Sequence, residues 1–473
     1  MDKKLLYIQT IGCQMNVYDS SRMALKLKPL GYETTETLEA ADVILLNTCS
    51  VREKAEQKAF SFLGRLAELK EKNPGLIIGV GGCVAQQEGR KILRRVAHID
   101  LVFGTRAIDR LPQMIQKIAA KRCRIVDLDL SETLPEAFSS GPAPGVVKPA
   151  QFVTIMRGCD NFCAYCVVPF VRGRETSREP ELIVAEIESL VAAGAREVTL
   201  LGQNVNSYGK KEGLCTFPEL LDKVNRIEGL LRIRFTTSHP KDLSPDLIHA
   251  FNRLERLCHH IHLPVQSGSN RILSMMNRRY TRETYLEKLA ALRVACPDIA
   301  VSSDFIVGFP GETRADFNDT LQLIRMVQYD SLFAFTYSDR PNAPAVRFDG
   351  KIPEEERKDR LQELLALQAA ITARKNQAMV GRTVSVLVEG MSKQHTGSAG
   401  EPSASIRQWT GRTTANKVVN FSMEDSNAIP EEMLIGKLVD VHIEKAFAHS
   451  LWGRPGDPGF PLILKKGVKR YAA

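Results

Sequence analysis

The sequence predicts an α/β protein with an N-terminal parallel-sheet α/β domain, a central partial (β/α)6 barrel and a C-terminal small, OB-like β-barrel. Apolar runs alternate with helix-like stretches over residues 3–120 and again over 151–378, which is the pattern of parallel sheets. Short β-branched runs separated by glycine and polar turns then occupy residues 380–446, as is typical of a small β-barrel. A chain of 473 residues is also too long for one compact core.

Four apolar runs predict the N-terminal sheet, and helical patterns lie between them. The predicted strands are LLYIQT (5–10), ADVILLNTC (41–49), LIIGVGGC (76–83) and LVFG (101–104). Helices are predicted near 18–30, from about 52 to 72, and near 87–96. A stretch rich in Pro, Gly and Ser follows at 131–150, so we assign residues 121–150 to a linker.

Six further apolar runs predict the central barrel, a fold whose chemistry lies at the carboxyl ends of its strands. They are FVTIM (152–156), EVTLLGQN (197–204), RIRFTTSH (232–239), IHLPVQ (261–266), AVSSDFIVGF (300–309) and SLFAFTYS (331–338). A long amphipathic helix is predicted over 353–380. The strands of the small β-barrel are TVSVLVEG (383–390), TGRTTANKVVNF (410–421) and KLVDVHIEKAF (437–447). Residues 391–408 form a predicted loop, and residues 447–473 form a tail without a structural prediction.

Charge and targeting signals indicate which partners and which compartment to expect. The net charge of +9 favours a polyanionic partner, nucleic acid before membrane. The N-terminus, MDKKLLYIQT, has too short an apolar run for a signal peptide, and no apolar stretch is long enough to span a bilayer. We therefore expect a cytoplasmic protein that does not bind a membrane. Ten cysteines in such a chain favour metal or redox use over disulfides.

The most informative motif is a set of three closely spaced cysteines after the first barrel strand. Cys159, Cys163 and Cys166 have the spacing C-x3-C-x2-C. Soft thiolates packed this closely select zinc, copper(I) or iron–sulfur clusters. A structural zinc site closes with four protein ligands, whereas a 4Fe–4S cluster on three cysteines keeps one iron open. The alternative is a zinc site that recruits a distant fourth ligand, such as Cys123 or Cys215.

A second set of cysteines stands at the ends of three predicted N-terminal strands. Cys13, Cys49 and Cys83 each follow one of these strands. Ligands collect at the carboxyl ends of strands in open α/β sheets, so the three thiols could share a second cluster. The alternative is three independent buried cysteines, which are common in protein cores. The repeated placement favours a shared site.

The three domains in this order resemble the radical S-adenosylmethionine (SAM) methylthiotransferases over roughly residues 3–446. That family has an N-terminal cluster domain, a radical SAM barrel and a C-terminal TRAM domain that binds RNA. The strings that carry the resemblance are TIGCQMN, LLNTCSVREKA, GGCVAQ, RGCDNFCAYCVVPFVRGRE, LLGQNVNSYG, RIRFTTSHP, HLPVQSGSN and SDFIVGFPGET. The last four are similar to those of the branch that modifies tRNA at an isopentenylated adenosine. The loop 391–408 and the tail 450–473 do not contribute to the resemblance.

The resemblance implies a reaction and its cofactors. The C2 hydrogen of N6-isopentenyladenosine (dimethylallyladenosine), next to the anticodon, would be replaced by a methylthio group. Cys159, Cys163 and Cys166 would hold the 4Fe–4S cluster that cleaves SAM. Cys13, Cys49 and Cys83 would hold a second 4Fe–4S cluster, whose open iron carries the sulfur.

The resemblance and the strand-end positions also suggest contacts for the cofactor and for RNA. The candidate cofactor contacts are Phe162, Tyr165, Gln203, Asn204, Ser238, Gln266, Gly308 and Glu312. Each of them could instead pack the core or cap a strand. The candidate RNA contacts are Arg172, Arg174, Arg407, Trp409, Arg412 and Lys417. For these the alternative is an ordinary solvated surface.

The implied partners are tRNA, an external electron donor, and sulfur-delivery or iron–sulfur assembly proteins, with the chain itself a monomer. The sequence leaves two alternative functions open. One is a methylthiotransferase that acts on a ribosomal protein or on threonylcarbamoyl adenosine. The other is a zinc-bearing RNA-binding protein without catalysis.

Overall fold

A computed structural model describes residues 3–49, 53–131, 147–392, 407–422 and 430–456. The chain divides into two compact units, residues 1–368 and 369–473. Half of the predicted linker, most of the loop 391–408 and the tail beyond residue 456 lie outside the described residues.

The first unit begins with a six-stranded parallel sheet in the order β2-β1-β3-β4-β5-β6. Its strands are β1 Lys4–Ile11, β2 Tyr32–Thr34, β3 Val43–Thr48, β4 Ile77–Gly82, β5 Leu101–Phe103 and β6 Ile125–Asp127. Its helices are α1 Gln14–Leu27, α2 Glu53–Lys72, α3 Cys83–Glu88, α4 Arg90–Arg95 and α5 Leu111–Lys121. Both central strands, β3 and β4, are buried along their whole length, because separate apolar clusters cover the two faces of the sheet.

The predicted parallel sheet is confirmed, with two corrections. Strand β6 lies within residues 121–150, which the sequence assigned to a linker, and pairs with β5 at the sheet edge. The helix predicted near 87–96 is two short helices, because Gly89 interrupts it with a φ of +52°.

The barrel is the second part of the same unit, and its six predicted parallel strands are confirmed. They form two sheets, in the orders β11-β10-β7 and β12-β13-β14. The strands are β7 Ala150–Thr154, β10 Glu197–Leu201, β11 Arg232–Phe235, β12 His260–His262, β13 Ala300–Val307 and β14 Ser331–Thr336. A parallel bridge between Ile233 and Leu257 joins the two sheets. A short antiparallel pair, β8 Met156–Arg157 and β9 Thr176–Ser177, flanks the cysteine loop that follows the first barrel strand.

Helices follow the barrel strands, and several begin at a Ser or Thr whose side chain accepts a backbone N–H, as N-caps do. They are α6 Val168–Val171, α7 Pro180–Ala192, α8 Phe217–Asn225, α9 Pro245–Arg253, α10 Asn270–Met275, α11 Arg282–Ala295, α12 Arg314–Val327 and the long α13 Glu354–Gln377. Among the helices of the described residues, none has both the length and the apolarity that a membrane crossing requires.

The second unit contains a closed five-stranded barrel in the order β15-β16-β17-β19-β18. Its elements are β15 Thr383–Met391, β16 Gln408–Arg412, β17 Val418–Ser422, α14 Glu431–Leu434, β18 Leu438–Ala446 and β19 Ser450–Pro455. Strand β19 pairs in parallel with β17 and antiparallel with β18. The sequence placed the domain end at residue 446, and this is wrong, because β19 from the predicted tail closes the barrel.

Candidate active site

Three cysteines of the N-terminal sheet meet at one edge. Cys13, Cys49 and Cys83 follow β1, β3 and β4, which are neighbours in the sheet. A hydrogen bond from the Cys49 thiol is the main cause that lowers the pKa of Cys13 to about 6. The Cys83 thiol lies near enough to interact electrostatically with Cys13, and burial raises the pKa of Cys83. The structure thus brings together the three cysteines that the sequence placed at separate strand ends.

Asn16 fixes the loop that carries Cys13. Its Oδ1 accepts a hydrogen bond from the Cys13 backbone N–H over 3.1 Å. Its Nδ2 donates to Asn47 Oδ1 at 2.9 Å and to the Thr48 carbonyl at 3.0 Å. Because Thr48 directly precedes Cys49, one asparagine connects the loops of two cysteines. Sequence reasoning missed Asn16, since Asn47 and Thr48, which its side-chain amide group contacts, lie more than thirty residues away.

The barrel contributes a buried cation to this three-cysteine site. Arg172 is 5% exposed, and its Nη2 lies 3.0 Å from Oδ2 of Asp19 on α1. Burial opposes the charge of the guanidinium, but Cys83 and Asp19 together raise the pKa of Arg172 above its usual value. Arg172 also hydrogen-bonds to the Cys83 thiol. The prediction that Arg172 contacts RNA is therefore wrong, because its side chain is buried against the N-terminal domain.

The second triad lies in a loop between β8 and β9 that is held from several sides. The Gly158 N–H donates to Oε1 of Gln203 at 2.6 Å. Arg174 pairs with Asp160 at 2.7 Å. Gly158 itself has a φ of +76°, and a Cβ there would lie 2.0 Å from the Arg174 carbonyl oxygen. Only glycine fits this turn.

Cys163 is buried, Cys159 and Cys166 are half-buried, and the three thiols influence one another. Burial, together with the nearby Cys163, raises the pKa of Cys159 to about 11 and that of Cys166 to about 12. Such thiols lose their protons when a metal coordinates them. Three soft donors without a fourth cysteine fit a 4Fe–4S cluster that has one open iron.

A compact zinc site is not favoured at either triad. Within the described part of the chain, one group of three His, Cys, Asp or Glu donors has all its ligand atoms within 4.8 Å of one another. It consists of His259, Cys296 and Asp298 and includes no cysteine of either triad. Tetrahedral zinc, with Zn–S bonds of about 2.3 Å, requires such a compact set.

Two of the predicted cofactor contacts serve the protein itself. Gln203 holds the Gly158 turn, as described above. Asn204 donates to Asp242 at 2.8 Å and accepts from the His239 N–H at 3.2 Å. Asn204 thus holds two loops of the barrel together, and its contact with the cofactor stays a prediction.

Several buried polar atoms in the cysteine loop and in the segments after β10 and β11 lack partners among the described residues. These atoms are Asn161 Nδ2, both side-chain polar atoms of Asn206, Ser238 Oγ and His239 Nε2. Buried polar groups are nearly always paired, so these atoms mark where a polar ligand would complete the site. The group includes the predicted Ser238. Asn161 and Asn206 were missed, although both lie in the strings that carry the family resemblance.

The glycine-rich turn after β13 is held by Glu312. Its Oε2 accepts from the Gly308 N–H at 2.7 Å and from Arg360 at 2.7 Å. Burial raises the pKa of the Glu312 carboxyl. Glu312 thus holds the turn together through Oε2, while its buried Oε1 has no partner among the described residues, so the cofactor contacts at Glu312 and Gly308 stay predictions.

The cofactor contacts at Phe162, Tyr165 and Gln266 also stay predictions. Phe162 is 37% exposed, with its ring centroid 5.3 Å from the Arg174 guanidinium. Tyr165 is half-buried, and Gln266, which lies after β12 and forms an isolated bridge with Phe305, has a φ of +80°.

The predicted RNA contacts of the C-terminal barrel differ in their burial. Trp409 is fully buried in the barrel core, so the prediction that it contacts RNA is wrong. Arg412 pairs with Glu389 at 3.1 Å, and Lys417 donates to Asn376 at 2.9 Å. Both are half-buried, as is Arg407, and their RNA contacts stay predictions.

Sequence reasoning missed an aromatic residue flanked by cations. Trp452 on β19 is half-buried, with Lys445 Nζ 5.5 Å and the Arg454 guanidinium 5.9 Å from its ring. The signal was lost because these residues lie partly in the segment taken for a tail.

Comparison with known families defines the class of the protein. Residues 5–104 match the Uncharacterized protein family UPF0004, residues 153–324 the Radical SAM superfamily and residues 377–455 the TRAM domain. The radical SAM methyltransferase TsrM from Kitasatospora setae, solved with cobalamin and a 4Fe–4S cluster, has a TM-score of 0.55 at 14% identity. The match covers 73% of this chain and 77% of TsrM, which supports the fold alone. Fold and cysteine triads together define a radical SAM protein with an added N-terminal cysteine domain.

Full-length relatives identify the family within this class. Proteins named tRNA-2-methylthio-N(6)-dimethylallyladenosine synthase are 56% identical in Desulfosudis oleivorans and 51% identical in Syntrophus aciditrophicus. These matches cover 95% and 96% of this chain, and 96% and 95% of the relatives. The relative from Geobacter sulfurreducens is 47% identical over 99% of this chain and 100% of its own length. The chain belongs to the tRNA-2-methylthio-N(6)-dimethylallyladenosine synthase family.

Proposed function

We propose that this chain methylthiolates C2 of N6-dimethylallyladenosine beside the tRNA anticodon. It uses two 4Fe–4S clusters, with SAM as both radical source and methyl donor. The observation that carries the proposal is the presence of two cysteine triads in one compact unit, each without a fourth cysteine. The full-length relatives support the choice of substrate.

The chain's own residues bind and shield the reacting groups. When bound, the cofactors supply the electron, the radical, the sulfur and the methyl group that an inert aromatic C–H bond requires. Cys159, Cys163 and Cys166 would hold the cluster that works with SAM, and Cys13, Cys49 and Cys83 the cluster that carries sulfur.

The unpaired polar atoms beside the second triad would orient SAM. Asn161, Asn206 and Ser238 offer amide and hydroxyl groups to its polar atoms. Burial lowers the pKa of His239, so its imidazole is neutral and offers a hydrogen bond rather than acting as a charged group.

Two exposed regions would bind the tRNA. In the first unit, Arg174 and Phe162 stand at the outer side of the cysteine loop. In the second unit, Trp452 would stack on a base, with Lys445 and Arg454 beside it to meet phosphates. The cations Arg407, Arg412 and Lys417 would extend this basic surface.

The reaction defines further partners. Reduction of the cluster requires an external electron donor, and each methylthio group consumes a sulfur that a delivery or iron–sulfur assembly protein must replace. The chain would act as a monomer, because each chain carries both triads, and its expected compartment is the cytoplasm.

Iron analysis and tRNA nucleosides test the proposal. Anaerobically reconstituted protein should contain about eight irons per chain, as two 4Fe–4S clusters require, and a value near four would refute the two-cluster claim. A strain without this chain should lose 2-methylthio-dimethylallyladenosine from its tRNA. Unchanged levels of that nucleoside would refute the substrate. Loss of a methylthio group from threonylcarbamoyl adenosine or a ribosomal protein would instead identify the other branches.

Single cysteine variants test the division of labour between the triads. Cys159→Ala should abolish the formation of 5′-deoxyadenosine from SAM. Cys13→Ala should preserve that cleavage and block sulfur insertion. Cys215→Ala, outside both triads, is the control and should change neither activity. Equal loss of SAM cleavage in the first two variants would contradict the assignment.

A further inference from the structure

A short turn between α10 and α11 binds the cysteine loop of the barrel. In this 276–280 turn, the Met276 carbonyl accepts from the Ala164 N–H at 3.0 Å. Asn277 Nδ2 donates to the carbonyls of Asn161 at 3.3 Å and Phe162 at 3.0 Å. The turn therefore holds the backbone on both sides of Cys163.

The backbone of the turn is strained. Asn277 and Arg279 each have a φ of +58°, in the left-handed region that non-glycine residues rarely occupy. Such conformations persist where the surroundings hold them, and they are found most often at functional sites. The two strained residues flank Arg278.

Arg278 is directed at the cysteine triad and held there. It is 3% exposed, and its Nη1 donates to Cys163 Sγ at 3.5 Å and to the Tyr165 hydroxyl at 3.3 Å. Its Nε donates to the Tyr280 hydroxyl at 3.0 Å, and its Nη2 donates to the Pro264 carbonyl. The guanidinium is thus a fixed, buried cation in contact with a cysteine sulfur.

We propose that Arg278 is a positioning residue that raises the reduction potential of the cluster held by Cys159, Cys163 and Cys166. The proposal rests on the proposed function, since it requires a 4Fe–4S cluster at this triad. The step is the uptake of one electron from an external low-potential donor, without making or breaking a bond or moving a proton. The reduced cluster carries one more negative charge, so a hydrogen bond and a buried cation at its sulfur stabilise the reduced state. Arg278 thereby makes electron entry easier.

The test is an EPR-monitored redox titration of the reconstituted full-length protein. The barrel cluster is identified as the signal that changes when SAM is added. In Arg278→Gln, the ratio of reduced to oxidised cluster at a fixed solution potential should fall at least tenfold. For a one-electron couple this is a shift of about 59 mV to lower potential. The control is Arg253→Gln, which changes an exposed arginine outside the 276–280 turn and should leave the titration unchanged.

Further outcomes separate a role in tuning from a role in folding. Arg278→Lys keeps the charge and loses the fork of donors, so its potential should lie between those of wild type and Arg278→Gln. Wild-type potentials in both Arg278 variants would overturn the proposal. Loss of iron from Arg278→Gln together with an unshifted Arg278→Lys would also overturn it and assign Arg278 to folding. Failure of the proposed function would appear separately, as about four irons in the wild-type chain.

Discussion

Arg172→Gln should be far more destabilising than a change two residues away. Arg172 and Asp19 form an ion pair whose side chains are 5% and 2% exposed, so removing the arginine leaves the buried Asp19 carboxylate without its ion-pair partner. Breaking a buried pair in this way costs about 3–5 kcal/mol. The control is Arg174→Gln, because the Arg174–Asp160 pair has side chains 58% and 28% exposed. An exposed pair contributes roughly 0–1 kcal/mol.

The assay is urea unfolding of the two variants and of wild type under identical anaerobic conditions. The midpoint should fall clearly for Arg172→Gln and hardly for Arg174→Gln. Adding Asp19→Asn to Arg172→Gln should recover much of the loss, because the orphaned charge is then gone. If the two arginine variants lost the same small amount, the Arg172–Asp19 pair would not be buried as described, and the reasoning would be refuted.

Three further predictions test other parts of the structure. In the metal-free chain, the alkylation rate of Cys13 should rise with pH around a midpoint near 6 and that of Cys159 around a midpoint near 11, because the thiolate is the reactive form. Peptide mass spectrometry over a pH series measures both profiles, and identical profiles would contradict the prediction. Gly158→Ala should reduce the iron content from about eight to about four per chain, because a Cβ there meets a backbone carbonyl at 2.0 Å; a normal iron assay would speak against this packing. Trp409→Ala should destabilise the C-terminal barrel by about 3–5 kcal/mol, which limited proteolysis would detect. Trp452→Ala should leave the barrel stable and weaken tRNA binding by about 1–3 kcal/mol, and the reverse pattern would exchange the roles of the two residues.

The sequence predicted the strands best where they are buried on both faces. β3 and β4 are buried along their whole length and are rich in apolar residues, because apolar clusters cover both faces of the N-terminal sheet. The edge strands β2 and β6 were missed, since each has only three residues and neither is wholly buried. A run this short does not rise above the surrounding loop in an apolarity pattern.

The site residues divide in the same way. The cysteine triads were visible because their spacing and strand-end positions are local features of the sequence. Arg172 was misjudged because its partner Asp19 lies 153 residues away, and no local pattern records that distance. For Trp409 the sequence did hold the answer, since alternation along β16 places residues 409 and 412 on opposite faces. They could not have shared one RNA-binding face.

Strand β19 also has a consequence for the order in which this protein can fold. One edge of β17 and one edge of β18 pair only with β19 (Ser450–Pro455), which is synthesised after every other strand described. During translation the C-terminal barrel must therefore remain open, with two strand edges available for wrong pairing, until these residues leave the ribosome. A ribosome stalled before Ser450 would hold a chain whose N-terminal sheet can form but whose barrel cannot close.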